Sequence, residues 1–183
     1  MQLVVSRYNE DIGWTKNFDN VIIYNKGPHL GLQNEIQLPN VGREAHTYLC
    51  HIINNYDNLD DYTVFLQGNP FDHSPNLFER LRYIHGDAMF ISEQILSTTV
   101  NGCFYHKEIP MRQTYHQLFG ETLNHYPEFV FGAGAQFVVS RDRIRERPLS
   151  FYENALNLVK YDICPLEAYT LERYWTLIFN IKP

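Results

Sequence analysis

Tyr62–Gln67, Tyr-Thr-Val-Phe-Leu-Gln, is a run of β-branched and aromatic residues without polar alternation. Such a run reads as a strand covered on both faces, as in the interior of a mainly parallel sheet. Gly68, Asn69 and Pro70 then stop it, since proline offers no ladder donor. A carboxylate, Asp72, and an imidazole, His73, follow at once. Open α/β sheets bind ligands beyond the carboxyl ends of their strands. Asp72 therefore reads in two ways: as the anchor of a site, or as a cap on the turn before Ser74-Pro75.

The remaining segments fit around such a strand. Leu3–Ser6 and Val21–Tyr24 read as two further buried strands. A short helical segment, Ile12–Phe18, lies between them, and residues 29–40 look irregular. Val41–Tyr56 reads as an amphipathic helix with Ala45, Leu49, Ile52, Ile53 and Tyr56 on one face and Asn40 as its N-cap. Ser74-Pro75 reads as the start of a helix carrying Leu77, Phe78, Leu81 and Ile84, and Ala88–Ile91 as a strand. Within the poorly patterned region Ser92–Glu128, Met111–Phe119 reads as a helix stopped by Gly120. Two apolar runs then flank Gly132-Ala133-Gly134. Ser140 suits the cap of a short helix, and Ser150 to Glu153 spell a capping box for a helix to Val159. Pro165 opens the last helix, with Leu171, Tyr174, Trp175 and Ile178 as a core face. Alternation of this kind predicts an α/β sheet with helices on both faces.

The chemistry-bearing residues gather at predicted strand ends. The loop Arg7–Asp11 is either a ligand site or a solvated turn with Asp11 capping a helix. Arg7 suits a phosphate and Tyr8 suits stacking on a base. Asn25, Lys26 and Arg43 add donors at the same sheet edge, and Arg43 sits in a helix first turn whose free N–H groups favour an anion. Asp72 and His73 suit Mn²⁺ or Mg²⁺ bridging a diphosphate. Glu167, in the first turn of the last helix, is either a dipole partner or a general base for an acceptor hydroxyl. Glu172-Arg173 reads as a local ion pair and Trp175 as core.

Several classes are excluded or disfavoured. Gly132-Ala133-Gly134 matches a dinucleotide fingerprint at two positions only, with Phe137 at the third and no helix opening there, so a Rossmann site is rejected. Close approach of a ligand to a backbone with few side chains explains these glycines better. No Walker sequence is present. A net charge of −6 argues against a nucleic-acid partner. The three cysteines, Cys50, Cys103 and Cys164, lack Cys-x-x-Cys spacing, which fits a reducing compartment. His46 and His51 are too far round a helix for a His-x-x-x-His zinc site, and the other histidines are scattered. The start is too soon polar for a signal peptide, and no apolar run approaches the ~20 residues of a membrane span. One soluble, cytoplasmic domain is expected from 183 residues.

Taken together, the chain resembles a GT-A-type glycosyltransferase, the nucleotide-sugar-dependent class. The resemblance rests on Val4–Glu10 as first strand and nucleotide loop and on Asn40–Glu44 as the helix start beside the nucleotide. Phe65–His73 stands in place of the Asp-x-Asp metal motif. Phe131–Ala135 through Ser140-Arg141 resembles the Gly-rich acceptor-side strand, and Pro165–Glu167 with Glu172–Trp175 the catalytic carboxylate region of inverting members. Within the class it is similar to a small group of glycosyltransferase-like proteins of unknown function in large DNA viruses, fungi and bacteria.

The resemblance implies a three-layer α/β fold, with a nucleotide half over about residues 1–75 and an acceptor half over about 76–183. It implies a UDP- or GDP-sugar donor held by Ser6, Arg7, Tyr8, Glu10, Asn25, Lys26, Arg43, Gln67 and Asn69. A Mn²⁺ or Mg²⁺ ion would lie at Asp72 and His73. A glycan, protein or small-molecule acceptor would lie against Gly132, Ala133 and Gly134, with Glu167 as base. The departure is the missing second acid: Asn69-Pro70-Phe71-Asp72 keeps one. Two other classes follow from that gap. One is a sugar- or nucleotide-binding module without turnover. The other is a metal-dependent hydrolase using Asp72, His73 and a further histidine such as His106.

Overall fold

The computed structural model describes residues 1–102, 106–120 and 128–182. A mixed six-stranded sheet forms its middle layer. Four strands run parallel: β1 (Gln2–Arg7), β2 (Val21–Asn25), β3 (Glu35–Gln37) and β4 (Tyr62–Gln67). β5 (Ala88–Phe90) and β8 (Phe137–Ser140) extend it, with β8 antiparallel to both β4 and β5, in the order β3-β2-β1-β4-β8-β5. β6 (Ile95–Thr99) and β7 (Glu128–Gly132) form a separate antiparallel pair.

The central strands are buried on both faces, as their unalternating sequences predict. Val4, Phe65, Phe137 and Val139 point to one layer, and Leu3, Val5, Val64, Leu66 and Val138 to the other. The first layer holds α1 (Arg43–Asn55), α3 (Met111–Phe119), α5 (Leu149–Val159) and α6 (Leu166–Phe179). Its centre is aromatic: Phe137 lies 5.5 Å from Trp175, which stacks on Phe179 at 5.7 Å and 6°. Burial of each such ring contributes roughly 1.5–3 kcal/mol. Trp175 is thus core, as its helical spacing indicates. The second layer is thin. It consists of a 3₁₀ turn, Gly13–Asn17, the short α2 (Leu77–Arg80) and the rings of Trp14, Phe18 and Phe71.

Several local expectations are corrected. α1 begins at Arg43, and its N-cap is Gly42 in the left-handed region (φ 63°) rather than Asn40. A Cβ on Gly42 would stand 2.6 Å from the Val159 carbonyl oxygen, so packing on the end of α5 fixes this start. α5 starts before its capping box, behind Pro148, and Ser150 does not cap it. Ser74 caps no helix; its Oγ donates to the Ile91 carbonyl, while Pro70–Asp72 form a 3₁₀ turn and α2 opens behind Asn76. Two strands, β3 and β6, lie in segments that read as irregular. The expected caps at Ser140 and Gly120 are present: Ser140 Oγ accepts from the Arg143 amide in front of α4 (Arg141–Arg145), and Gly120 closes α3 at φ 68°. Cys103 and His125 lie outside the described residues.

Candidate functional site

The chain leaves β1 toward β2 on one side, and later enters β4 on β1's other side. The carboxyl ends of β1 and β4 therefore flank a topological switch point, where side loops part and leave a crevice. Register brings Ser6 beside Gln67 and Arg7 beside Asn25. A cleft of about 490 Å³ opens there. Ser6, Arg7, Tyr8 and Glu10 supply its β1 side, and Gln67, Asn69 and Asp72 its β4 side. Lys26 and Arg43 complete the walls, with Asn40, Glu44, Ile163 and Cys164. Of the residues assigned to the donor, Asn25 alone is not on the walls.

Asn25 is instead the buried brace of the β2 loop. Its Oδ1 accepts from Arg7 Nη1 at 2.8 Å and from the Gly27 amide at 3.0 Å, and its Nδ2 donates to Pro28 and Glu35. Arg7 also donates to the carbonyls of Tyr8 and Glu10. Three of its hydrogen bonds thus go to the loops that shape the cleft, and its part is to hold them rather than to reach outward. Glu10 curls back, its Oε2 accepting from the Tyr8 and Asn9 amides at 2.6 and 3.1 Å. It lies over Gly68, where a Cβ would stand 2.6 Å from that same oxygen. Tyr8 is left with its ring half-exposed at the cleft.

The two loops touch at Gly27. A Cβ there would meet the Tyr8 carbonyl oxygen at 1.8 Å, a backbone atom that cannot rotate away. Gly27→Ala is expected to destabilise the fold by about 1–3 kcal/mol through this overpacking, read as a lowered urea midpoint. An unchanged midpoint would show that the β1 and β2 loops do not meet as described.

Lys26 is buried, and its Nζ donates to the carbonyls of Val41 (2.6 Å) and Arg43. Burial lowers its pKa to about 8, against the pull of Glu44. It remains a cation at neutral pH, at the cleft wall. Arg43 has φ 49° and places its guanidinium 4.6 Å from the Tyr169 ring centre, with Nη1 donating to Tyr169 Oη at 3.1 Å. The expected free amides at this helix start are corrected: Gly42 and Arg43 donate theirs to the carbonyls of Asp162 and Ile163. Two of the donors at this helix start are thus already committed, and the side chains of Lys26 and Arg43 add their charge at the same wall.

Asp72 is exposed at the cleft. His73, the next residue, faces elsewhere. Its ring packs on Gly134, where a Cβ would stand 2.2 Å from Cδ2, and its Nδ1 is buried without a partner. His73 is therefore not placed as a second ligand beside Asp72. Among the described residues no three His, Cys, Asp or Glu side chains gather to hold a metal ion. His106 pairs with Glu108 on the opposite side of the site, not with Asp72. One carboxylate does not make a resident metal centre. It does match the usual Mg²⁺ arrangement, in which one or two carboxylates meet an ion that arrives on substrate phosphates.

A second cavity, of about 540 Å³, adjoins the first, and Cys164 lines both. Of the three acceptor-side residues only Ala133 reaches it. Gly132 is packed on Phe90 and Ser92. Gly134, at φ 79°, donates its amide to Glu172 Oε1 at 2.7 Å. Glu172 lines the second cavity, and its Oε2 takes Arg173 Nη1 at 3.2 Å. Glu167 is on neither wall; its Oε2 accepts from Tyr161 Oη at 2.6 Å. The α6 carboxylate facing the second cavity is thus Glu172, about 1.4 turns further along the helix than Glu167.

Glu44 escaped the sequence reading. It is buried on the cleft wall, where burial raises its pKa, Arg43 pulls it down and Glu172 pushes it up. Two carboxylates, one on each cavity, therefore feel one another across the partition. Tyr169 was also missed, whereas the local ion pair read for Glu172-Arg173 is present at 3.2 Å. Leu166, Tyr169 and Arg173 recur at i, i+3 and i+7, a helical face that the sequence does show.

Searches of curated proteins and of solved structures find no match to this chain. A family model matches residues 3–83 and 91–183, which takes in the lining residues of both cavities and leaves out β5. The chain belongs to the family described as Protein of unknown function (DUF3431).

Proposed function

We propose that the chain is a nucleotide-sugar-dependent glycosyltransferase of GT-A type, moving a sugar from a UDP- or GDP-sugar to an acceptor hydroxyl. The observation that carries this reading is the pair of adjoining cavities. One opens at the β1/β4 switch point with the half-exposed Tyr8, Lys26, Arg43 and Asp72 among its walls; the other has Glu172 on its wall, and they meet at Cys164. A two-substrate transfer needs such a pair, because holding donor and acceptor together removes much of the entropic barrier.

Each group has a part in this reading. Tyr8 stacks on the base. Lys26 and Arg43 draw the diphosphate to the α1 side of the cleft. A Mn²⁺ or Mg²⁺ ion arriving with the diphosphate and held by Asp72 would neutralise the leaving group. Glu172, held in place by the Gly134 amide and Arg173, takes the proton of the acceptor hydroxyl as its oxygen attacks the anomeric carbon. A base on the acceptor side, opposite the departing diphosphate, favours inversion.

The test is a melting titration with UDP, GDP and their sugars, with and without Mn²⁺. At a hundredfold excess over Kd the expected rise is roughly 5–10 °C. Asp72→Asn should remove whatever increment Mn²⁺ adds. No shift with any nucleotide sinks the reading. A shift without transfer or donor hydrolysis, across a broad acceptor panel, would favour a binding module.

A further inference from the structure

The second cavity is polar where it meets the first cleft, apolar on its inner wall, and carries two aliphatic side chains at its opening. At the junction with the first cleft stand Glu172 and Cys164. The inner wall is Phe131 and Ile109, exposed by 3% and 5%, with the Arg173 guanidinium 4.8 Å from the Phe131 ring centre. That guanidinium is committed: it donates to the Tyr169 carbonyl at 2.6 Å and pairs with Glu172. The outer wall is Leu96 and Leu166, exposed by 40% and 41%. Their positions are unrelated in sequence, one on β6 and one opening α6, yet both present aliphatic carbon to solvent at one opening.

A free sugar is a poor match to this wall. It carries hydroxyls all round and needs polar partners along its length. Here Glu172, Arg173, Cys164 and Tyr169, the last bonded to Arg43 of the first cleft, lie toward the shared end, while His106 and Glu108 pair with each other on the exposed side. A ligand with a hydroxyl-bearing head and an aliphatic tail matches this arrangement: head at Glu172, tail outward between Leu96 and Leu166. Removing its methylenes from water supplies the affinity.

We propose that the second cavity binds a hydroxyl-headed alkyl amphiphile, which under the transferase reading is the acceptor class. Turnover of such an acceptor rests on that reading; the binding itself does not.

The test uses the full chain without nucleotide. Methyl, hexyl and octyl β-glucoside are titrated calorimetrically, each below its micelle concentration. Affinity is expected to rise roughly threefold per methylene, about tenfold from hexyl to octyl. Leu96→Asp and Leu166→Asp, at half-exposed positions that tolerate polar groups, should each weaken octyl glucoside at least tenfold. They should leave methyl glucoside and the nucleotide melting shift unchanged. Equal binding of all three glucosides overturns the proposal, as does a chain-length effect that both variants leave intact. Co-sedimentation with neutral phosphatidylcholine vesicles carrying a glucosylated lipid separates a membrane source from a free amphiphile. Chain-length dependence without any nucleotide shift would keep the amphiphile site and discard the transferase.

Discussion

Glu172→Gln is expected to lower the transfer rate by about 10²–10⁴-fold while leaving nucleotide affinity within a factor of two of the parent. The amide keeps the shape of the carboxylate and one oxygen for the Gly134 amide, 2.7 Å away in the parent. It cannot accept the acceptor's proton. Glu167→Gln, by contrast, should leave the rate close to that of the parent, because Glu167 is bonded to Tyr161 and faces neither cavity. The pair of variants separates a base from a helix-end charge. If Glu167→Gln abolishes transfer and Glu172→Gln does not, the base lies where the sequence first placed it. If both stay active, the proton leaves by another route. Donor binding, followed by melting, guards against reading a folding defect as a catalytic one.

The contrast between these two glutamates marks what a sequence reading reaches. β1, β2 and β4 are legible because each is a short apolar run ended by polar residues or glycine, and their ends then predict the cleft. Eight of the nine donor-side residues lie on its wall, and the ninth, Asn25, braces it from beneath. Strand ends converge by topology, so naming the strands nearly names the residues. The acceptor side is different. Glu167 and Glu172 lie in the same helix, and only the packing of α6 beside β7 decides which of them meets Gly134. Glu44 is a similar case. Next to Arg43 in a helix first turn it looks like a surface dipole partner, yet it is buried and feels Glu172, more than a hundred residues later in the chain. The Gly42 and Arg43 amides are lost to a ligand for the same reason. Nothing local says that the loop before α6 will take them. β3 was hidden because its cause is also distant from its pattern. Glu35 looks polar and loop-like, but its carboxylate collects donors from Asn25, His29, Gln37 and the Leu30, Gly31 and Leu32 amides, which pin the segment to the edge of β2.

Acidification should unfold this protein well above the range in which carboxylates alone act. His46 and His51 are buried on α1. Burial, joined by the charge of Lys26, lowers His46 to about 4; burial, against the pull of Asp60, lowers His51 to about 4. In the unfolded chain both take up protons near the ordinary histidine value of about 6.5. Between pH 6.5 and 4 the unfolded state therefore binds more protons, and stability falls as pH falls. Each group contributes about 1.4 kcal/mol per unit inside that window, so the two together remove on the order of 6 kcal/mol by pH 4, a large share of a typical domain's stability. Glu44 works the other way. Its raised pKa lets the folded chain bind a proton before the unfolded one, which returns part of the loss. Glu35 adds to the loss only lower down. Burial pushes its carboxyl up, but hydrogen bonds from Asn25, Leu30, His29 and Leu32 outweigh this and hold it at about 2. Its contribution is complete above the usual carboxylate range and disappears as pH falls toward 2. The measurement is the urea midpoint at pH 7, 6, 5 and 4.5. A steady decline starting near pH 6.5 is expected, with His46→Gln shallower than the parent because one of the two proton sinks is gone. A midpoint that stays level down to pH 5 in the parent would mean that these imidazoles are not held neutral by the fold.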